Sequence, residues 1–163
     1  MPKLSLFIFF SLFIFSCSNE PSQKIIQGDI YGTTGQLKYF SEENEVPIKT
    51  FVVSELNRID KLFSHYKDDS LTSLINKNKI AYKDVAEEWK KLDKVGWDVH
   101  QKSNGYFNHK VSGDYDFNSF AKGYAVDKVS NILKANNINN FMVEIGGELR
   151  FEGLNNSKPW AFA

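Results

Sequence analysis

Apolar side chains recur at every third or fourth position in three stretches of the chain, which is the spacing of one face of an α-helix. The first stretch begins at Pro47, which fits the first turn of a helix, and the others run from Asp84 to Lys102 and from Ser119 to Ala135. Their apolar positions are Val52, Leu56, Ile59 and Phe63; Val85, Trp89, Leu92, Gly96 and Val99; and Ala121, Ala125, Val129, Ile132 and Leu133. The pattern predicts three amphipathic helices and a further short helix after Ser70.

The segments between these helices contain β-branched and aromatic residues interrupted by glycine turns, as strands do. From Ile26 to Phe40 such residues surround Gly32-Thr33-Thr34-Gly35, which indicates two short strands or one strand broken by a turn. Residues 141–152 predict a hairpin that turns at Gly146-Gly147, and residues 159–162 predict the beginning of another strand. The pattern indicates a single α+β domain with a mixed or antiparallel sheet and packed helices.

The N-terminus has the parts of a secretory signal. A short basic start, Met1-Pro2-Lys3, precedes an apolar run from Leu4 to Phe15 and the small residue Ser16. This run is too short to cross a bilayer as a helix, which needs about 20 residues. The single cysteine, Cys17, follows directly, as in a bacterial lipobox, and we predict that it carries lipid. The alternative is an ordinary signal peptide with an incidental cysteine.

The chain is therefore predicted to have three parts. They are a lipoprotein signal peptide over residues 1–16, a polar tether over 17–25 and a folded domain over 26–163. We expect the protein in the bacterial cell envelope, lipid-anchored to a membrane, on the periplasmic or extracytoplasmic face. Because the chain stops on apolar residues from Trp160 to Ala163, we expect the C-terminal part of the domain to be absent.

Charge and residue content exclude some functions. Twenty basic and 20 acidic residues give a formal net charge of +0, so the chain lacks the basic surface of a nucleic-acid-binding protein. His65, His100 and His109 lie far apart, with no cysteine or carboxylate at metal-ligand spacing. We interpret these histidines as surface or half-buried residues rather than metal ligands.

The segment from Asp116 to Asp127 could carry chemistry. A turn enters the third helix here, and we predict Asn118 or Ser119 as its N-cap. The free amides of the helix start, Lys122 and Asp116 would then surround a site for an anion such as phosphate. The alternative is a capped helix with an exposed lysine.

A second candidate is Val143-Glu144-Ile145-Gly146-Gly147-Glu148. Its glycines would let the backbone approach a ligand closely, because they carry no side chain. The alternative is a plain hairpin turn.

Four ordered segments carry a resemblance to a known family. They are Gly32-Thr33-Thr34 followed by Leu37-Lys38-Tyr39, the helix and loop from Leu56 to Ser70, the segment Asp116–Asp127, and Val143–Glu148. Together they resemble the ApbE family, the FAD:protein FMN transferases. The match extends over residues 31–153 and implies a single ApbE-like domain, present in part.

The resemblance implies a Mg²⁺-dependent transfer of FMN from FAD to a threonine or serine hydroxyl of a target flavoprotein, with release of AMP. It implies that FAD is bound by Tyr31, Tyr66, Tyr106, Phe107, Asn108, Asp116 and Lys122. Tyr66 would pack against the isoalloxazine ring, Lys122 would contact phosphate, and the backbone carbonyl of Ser119 would be a Mg²⁺ ligand. The implied acceptors are membrane-bound redox flavoprotein subunits, which the lipid anchor would bring close.

The chain departs from the family pattern in two places. Lys110 to Tyr115 form a short connection where the family has a long insert, and Asn108 replaces an acidic residue. The family's Asp-Ala-x-Ser/Thr segment, which supplies further Mg²⁺ ligands and catalytic groups, would lie after Ala163. Two alternatives stay open: a truncated or degenerate relative that binds FAD without transfer, and an unrelated solute-binding lipoprotein.

Overall fold

The elements of the fold alternate along the chain. The computed structural model describes residues 21–42 and 47–161. Its strands are β1 (Ser22–Ile30), β2 (Thr33–Ser41), β3 (Lys110–Val111), β4 (Asp114–Tyr115), β5 (Phe141–Ile145) and β6 (Glu148–Glu152). Its helices are α1 (Ile48–Phe63), α2 (Leu71–Asn76), α3 (Glu87–Lys102) and α4 (Ala121–Ala135), with a 3-10 turn at Tyr82–Asp84.

The main sheet begins with a tight hairpin and has the antiparallel strand order β1-β2-β5-β6. Ile30 of β1 pairs with Thr33 of β2, so Tyr31 and Gly32 form a two-residue turn with φ angles of +53° and +72°. Two positive φ angles are typical of the type I′ turn, whose twist suits a hairpin. Of the two interpretations of this region, two separate strands is correct. β1 begins at Ser22, within the segment predicted as the tether.

The second hairpin confirms the prediction from Gly146-Gly147. These glycines join β5 to β6 with φ angles of +55° and +91°, and Ile145 pairs with Glu148 across the turn. β5 also pairs with β2, with Val143 opposite Leu37, so the C-terminal hairpin completes a sheet begun at the N-terminal end. The predicted α+β fold is confirmed, and its main sheet is antiparallel throughout.

The strand predicted at the end of the chain is wrong over residues 159–161, which form no strand. Trp160 instead donates its Nε1–H to the carbonyl of Glu152 at 3.1 Å and packs against the ring of Phe40. These two contacts tie the segment to β2 and to the end of β6 without adding a strand to the sheet. Residues 162–163 lie outside the described residues.

α1 and α2 follow the predicted pattern. α1 buries Ile48, Val52, Ile59 and Phe63 and begins directly after Pro47. α2 begins after Ser70, whose Oγ accepts a hydrogen bond from the backbone N–H of Ser73 at 3.1 Å. Such a cap satisfies an amide that the first turn leaves free, so the prediction from Ser70 is confirmed.

α3 differs from the prediction in its start and its inner face. It begins at Glu87 because the 3-10 turn occupies Tyr82–Asp84. Val99, predicted to face inward, is 41% exposed, whereas Asp93 is buried. The physical reason is His109, which packs on this side of α3 and lies 2.7 Å from the Asp93 carboxylate.

The core lies between the sheet and α1, α3 and α4. α4 packs against α1 and against β5 and β6, and it buries Ala125, Val126, Val129 and Leu133. Phe117, which is fully buried just before α4, contacts the rings of Phe63 and Trp89 edge-on at centroid distances of 5.2 and 5.0 Å. These aromatic contacts fix the segment that leads into α4, because edge-to-face rings pack in few orientations.

No helix within residues 21–42 and 47–161 has the length and apolar character needed to cross a membrane. The predicted signal peptide and Cys17 lie outside the described residues, so the lipid anchor stays a prediction. Of the predicted tether, residues 22–25 form the first part of β1 and pair with β2.

Candidate functional site

An open cleft of about 910 Å³ lies where three parts of the fold meet. These parts are the β1–β2 turn, the end of α1 with the loop after it, and the segment that enters α4. Its lining includes Tyr31 and Thr33 from the turn, Asp60, Tyr66 and Lys67 from α1 and its loop, and Asn118 and Lys122 from the start of α4. The structure therefore brings Tyr31, Tyr66 and Lys122, three of the residues predicted to bind FAD, to one cleft.

Tyr31 forms the side of the cleft at the β1–β2 turn. Its hydroxyl donates a hydrogen bond to the backbone carbonyl of Leu56 at 2.7 Å, which ties the turn to α1. Burial raises the pKa of Tyr31, and the negative charges of Asp60 and Glu55 add to the effect. The hydrogen bond fixes the Tyr31 ring as an aromatic wall on this side of the cleft.

The loop after α1 is held by Ser64. Its Oγ accepts hydrogen bonds from the backbone N–H groups of Tyr66 at 3.2 Å and Lys67 at 3.3 Å. Lys67 also forms an ion pair with Asp60, and the hydrogen bond between them raises the pKa of Lys67. The backbone of the loop is thus fixed, while the side chain of Tyr66 is 77% exposed at the cleft.

Asp116 and Asn118 connect this loop to the start of α4. The backbone N–H of Asn118 donates to Oδ1 of Asp116 at 2.8 Å, which forms an Asx turn. The Asn118 amide lies 3.2 Å from the Tyr66 hydroxyl and 3.2 Å from Nδ1 of His65, and that nitrogen lies 3.3 Å from Oδ1 of Asp116. Asp116 is therefore tied to Asn118 and His65, which both contact Tyr66, although Asp116 does not line the cleft itself.

The prediction that Asn118 or Ser119 caps the third helix is wrong. α4 begins at Ala121, and the position before it is Phe120, which makes no side-chain capping bond. The Asn118 side chain is used for the contacts with the loop after α1 instead. The hydrogen bonds of the described residues leave the backbone N–H groups of Lys122 and Gly123 without an acceptor. Free amides at a helix start favour an anion, with or without a cap.

Lys122 lies against the β5–β6 turn. Its Nζ donates to the carbonyl of Gly146 at 3.2 Å, so part of its donor capacity is used within the protein. A Cβ on Gly146 would lie 2.7 Å from Cγ2 of Thr33 and 3.1 Å from Cδ of Lys122. Glycine is therefore required at position 146, because atoms of two neighbouring side chains occupy the space that a side chain there would need.

Four other residues predicted to bind FAD lie outside the lining of this cleft: Tyr106, Phe107, Asn108 and Asp116. Tyr106 is 96% exposed, and Phe107 packs its ring against His109 and Phe120. The Asn108 side chain accepts a hydrogen bond from the backbone N–H of Lys110 at 2.9 Å. Their proposed contact with FAD stays a prediction that this cleft does not support.

The sequence interpretation missed a buried polar pair. His109, expected to be a surface or half-buried residue, is 1% exposed, and its Nε2 bonds Oδ1 of Asp93 at 2.7 Å. The other carboxylate oxygen accepts the hydroxyl hydrogen of Tyr82 at 2.8 Å. Gly96 on the apolar stripe of α3 was the available signal, since a glycine there leaves room for a large neighbour. The pair supports the site because the backbone carbonyl of His109 accepts the N–H of Asp116 at 2.8 Å.

The residues near the predicted Mg²⁺ ligand supply few oxygens. Oδ1 of Asp116 already accepts the N–H of Asn118, and Ser119 offers a backbone carbonyl. Within residues 21–42 and 47–161, no three His, Cys, Asp or Glu side chains lie close enough together to hold a metal ion. Mg²⁺ requires an octahedral set of oxygen ligands, so these residues do not fit a Mg²⁺ site made by the protein itself.

Comparison with known proteins identifies the family. The family model described as "ApbE family" matches residues 31–113 and 112–163, which is most of the chain. The chain belongs to the ApbE family. Among curated relatives, the FAD:protein FMN transferase of Haemophilus influenzae is 37% identical over 78 residues, which cover 47% of this chain and 22% of that protein. The FAD:protein FMN transferase of Vibrio cholerae is 49% identical over 49 residues, which cover 29% of this chain and 15% of that protein.

Solved ApbE structures share the fold. The flavin transferase ApbE from Vibrio cholerae superposes with a TM-score of 0.76 at 22% identity, over 86% of this chain and 62% of that protein. The flavinyl transferase ApbE of Pseudomonas stutzeri, in its apo form, gives a TM-score of 0.77 at 23% identity, over 86% of this chain and 64% of that protein. The chain therefore spans less than two thirds of these ApbE proteins.

Proposed function

We propose that this ApbE-family chain binds FAD in the cleft and transfers its FMN half to a threonine or serine hydroxyl of a flavoprotein. The observation that carries the proposal is the cleft itself, in which Tyr31, Tyr66 and Lys122 come together from three separate parts of the fold. The names of the curated relatives, FAD:protein FMN transferase, support the same reaction.

The cleft offers different chemistry to the two parts of FAD. Tyr31 and Tyr66 supply aromatic surfaces for the planar isoalloxazine ring, and the ring of Tyr31 is fixed by its bond to Leu56. Lys122 and the free amides at the start of α4 supply positive charge for the diphosphate. In this arrangement the Lys122 ammonium keeps one donor on Gly146 and points its remaining donors at phosphate oxygens.

The proposed transfer exchanges one bond to phosphorus for another. The acceptor hydroxyl oxygen attacks the phosphorus of the FMN half, and the bond from that phosphorus to the oxygen bridging to AMP breaks. AMP leaves with the bridging oxygen, and the hydroxyl proton passes to solvent or to a base. Lys122 and the helix amides stabilise the negative charge on the phosphate oxygens as the bonds exchange.

The described residues do not fit a protein-made Mg²⁺ site, and the roles proposed for Lys122 and the helix amides do not depend on the metal. The family resemblance implies that the transfer requires Mg²⁺, and the experiment is therefore run with and without Mg²⁺.

We also propose that lipid on Cys17 anchors the protein at the extracytoplasmic face of a bacterial membrane. Membrane-bound redox flavoprotein subunits would then be within reach as acceptors.

A second function, FAD binding without transfer, is favoured by one observation. Tyr31, Tyr66, Lys122 and the free amides of α4 account for binding of FAD, and none of these groups is assigned as a base for the acceptor hydroxyl. The two functions share the cleft and differ in the chemical step. They are therefore separated by a transfer assay that is run together with a binding measurement.

The test uses the purified chain with FAD, with and without Mg²⁺, and a threonine-containing flavin-acceptor peptide. Covalently bound FMN on the peptide, detected by fluorescence and mass, supports transfer. Lys122→Met should weaken FAD binding about 10- to 100-fold, since a hydrogen bond to a charged group contributes about 1.5–3 kcal/mol. Lys94→Met is the matched control, because Lys94 is 75% exposed and pairs with Asp98 on α3.

The outcomes distinguish the candidates. FAD binding that depends on Lys122, without labelled peptide, supports the binding function over the transferase. Absence of FAD binding to the unchanged chain contradicts both.

A further inference from the structure

His65 lies beside Tyr66, the exposed aromatic residue that lines the cleft. Its ring packs against the ring of Tyr66 in a tilted arrangement, with a centroid distance of 3.8 Å and an interplanar angle of 36°. The side chain of His65 is 27% exposed, whereas Tyr66 is 77% exposed. The two rings therefore form a layer in which His65 is the inner ring and Tyr66 the outer one.

The same imidazole also reaches the segment that enters α4. Its Nδ1 lies 3.2 Å from the amide nitrogen of Asn118 and 3.3 Å from Oδ1 of Asp116. The Asn118 amide in turn donates to the Tyr66 hydroxyl at 3.2 Å. His65 thus contacts Tyr66 by its ring and reaches it a second time through Asn118.

These contacts matter because they hold the Tyr66 side chain. The backbone of Tyr66 is fixed by Ser64, but its exposed ring contacts the described part of the protein through His65 and Asn118. An exposed ring that must be ordered when a ligand binds costs conformational entropy, so a ring that is already held binds a planar ligand more tightly.

We propose that His65 is a positioning residue that fixes Tyr66 for the flavin half of the ligand. This inference rests on the proposed function, because it assumes that FAD occupies the cleft. It also assigns a place to His65: the residue acts on the planar ring and leaves the diphosphate, which meets Lys122 and the amides of α4, unaffected.

The two contacts of His65 can be removed separately. His65→Phe keeps a ring that can stack on Tyr66 and removes the nitrogen that faces Asn118. His65→Asn keeps a polar group close to the position of Nδ1 and removes the stacking ring. His65→Ala removes both. We expect about three- to tenfold weaker FAD binding for each of the first two variants and about tenfold or more for His65→Ala.

The experiment measures the affinity of the full chain and its variants for FAD and for ADP by calorimetry. FAD carries the isoalloxazine ring, whereas ADP has the diphosphate and adenosine without it. We expect the ADP affinity of all three variants to stay within about twofold of the unchanged chain. His100→Asn is the matched control, because His100 lies outside the cleft lining and asparagine keeps a donor near its Nδ1, which bonds the carbonyl of Phe107.

Each outcome either supports or contradicts the positioning role of His65. Selective loss of FAD affinity, with ADP unaffected, supports the positioning role. Equal weakening of FAD and ADP contradicts it, because that result indicates a general structural effect, and unchanged FAD affinity in His65→Ala also overturns it. If the unchanged chain binds no FAD, the proposed function fails and the inference fails with it. If it binds FAD but transfers nothing, the inference is still judged by the variants.

Discussion

Gly96 in α3 is a position where one added methyl group should disturb the buried core. An alanine Cβ there would lie 2.6 Å from Nδ1 of His109 and 2.7 Å from its Cε1 and Cγ. These distances are far below van der Waals contact, so the ring or the helix must move. The ring has no room to move freely: it is fully buried, it bonds Asp93 at 2.7 Å, and it packs among the rings of Trp97 and Phe117.

The effect of Gly96→Ala on the free energy of unfolding has two destabilising contributions and one stabilising contribution. Overpacking a filled core costs about 1–3 kcal/mol. Shifting the imidazole also weakens its bond to a buried carboxylate, and hydrogen bonds to charged groups contribute about 1.5–3 kcal/mol. The higher helix propensity of alanine compared with glycine offsets up to about 1 kcal/mol of this destabilisation. We therefore expect Gly96→Ala to lower the free energy of unfolding by about 2–4 kcal/mol.

Urea unfolding of the purified chain measures this change, with the slope of the transition checked for two-state behaviour. Gly123→Ala is the matched control in α4, because its Cβ would meet nothing closer than Oε2 of Glu148 at 3.9 Å. This variant should be as stable as the unchanged chain or more stable by up to about 1 kcal/mol. A Gly96→Ala protein as stable as the Gly123→Ala protein would refute the reasoning.

A double-mutant cycle assigns the cost to the ring. In a His109→Ala background the space occupied by the imidazole is vacated, so Gly96→Ala should cost much less than in the unchanged chain. We expect a coupling free energy of about 1–3 kcal/mol between the two positions. A coupling free energy near zero would mean that the alanine at position 96 does not collide with the His109 ring.

Two further predictions concern the glycine turn and the pH dependence of stability. Gly146→Ala should lower the free energy of unfolding by about 1–3 kcal/mol in urea, because φ is +55° and the new Cβ would lie 2.7 Å from Thr33. The hydrogen bond from Arg58 lowers the pKa of Glu88 from 4.5 to about 2, so the stability from Glu88 is present above pH 4.5 and is lost as the pH falls towards 2. In Glu88→Gln, the fall in unfolding free energy over this acid range should therefore be smaller.

Each of these predictions has a neighbouring control. Gly147→Ala also places a side chain at positive φ but meets nothing within 4 Å, so Gly146→Ala should be the more destabilising change. If both variants lower the free energy of unfolding equally, the contact with Thr33 does not contribute to the effect of Gly146→Ala. Glu87→Gln removes a carboxylate that is 79% exposed and pairs with Lys90. An equal change of the acid slope in Glu87→Gln and Glu88→Gln would contradict the assignment to Glu88.

The sequence by itself predicted the elements whose signals are local. The apolar spacing from Val52 to Phe63 is satisfied by one helix, Ser70 caps α2, and Gly146-Gly147 sets a hairpin turn. In each case the residues that determine the element are a few positions apart, so no distant partner is needed. Motif order also predicted the family and the fold class, which the comparisons confirm.

The tertiary structure decided what depends on distant partners. Asn118 or Ser119 was predicted to cap α4, but the Asn118 amide bonds to the loop after α1 because Tyr66 and His65 lie beside it in space. Tyr106 and Phe107 carry a motif that implies FAD contact, yet they lie outside the lining of the cleft.

The face that α3 buries was likewise decided by a partner remote in sequence. Val99 belongs to the apolar stripe but is exposed, since His109 and Asp93 occupy the buried side. No spacing rule predicts that pair, because a buried histidine and carboxylate are stable only when the fold brings them together and closes aromatic rings around them. The same holds for the cleft: the sequence predicted a set of residues for FAD, and the packing of the turn, the loop and α4 determined that Tyr31, Tyr66 and Lys122 of that set line one cleft.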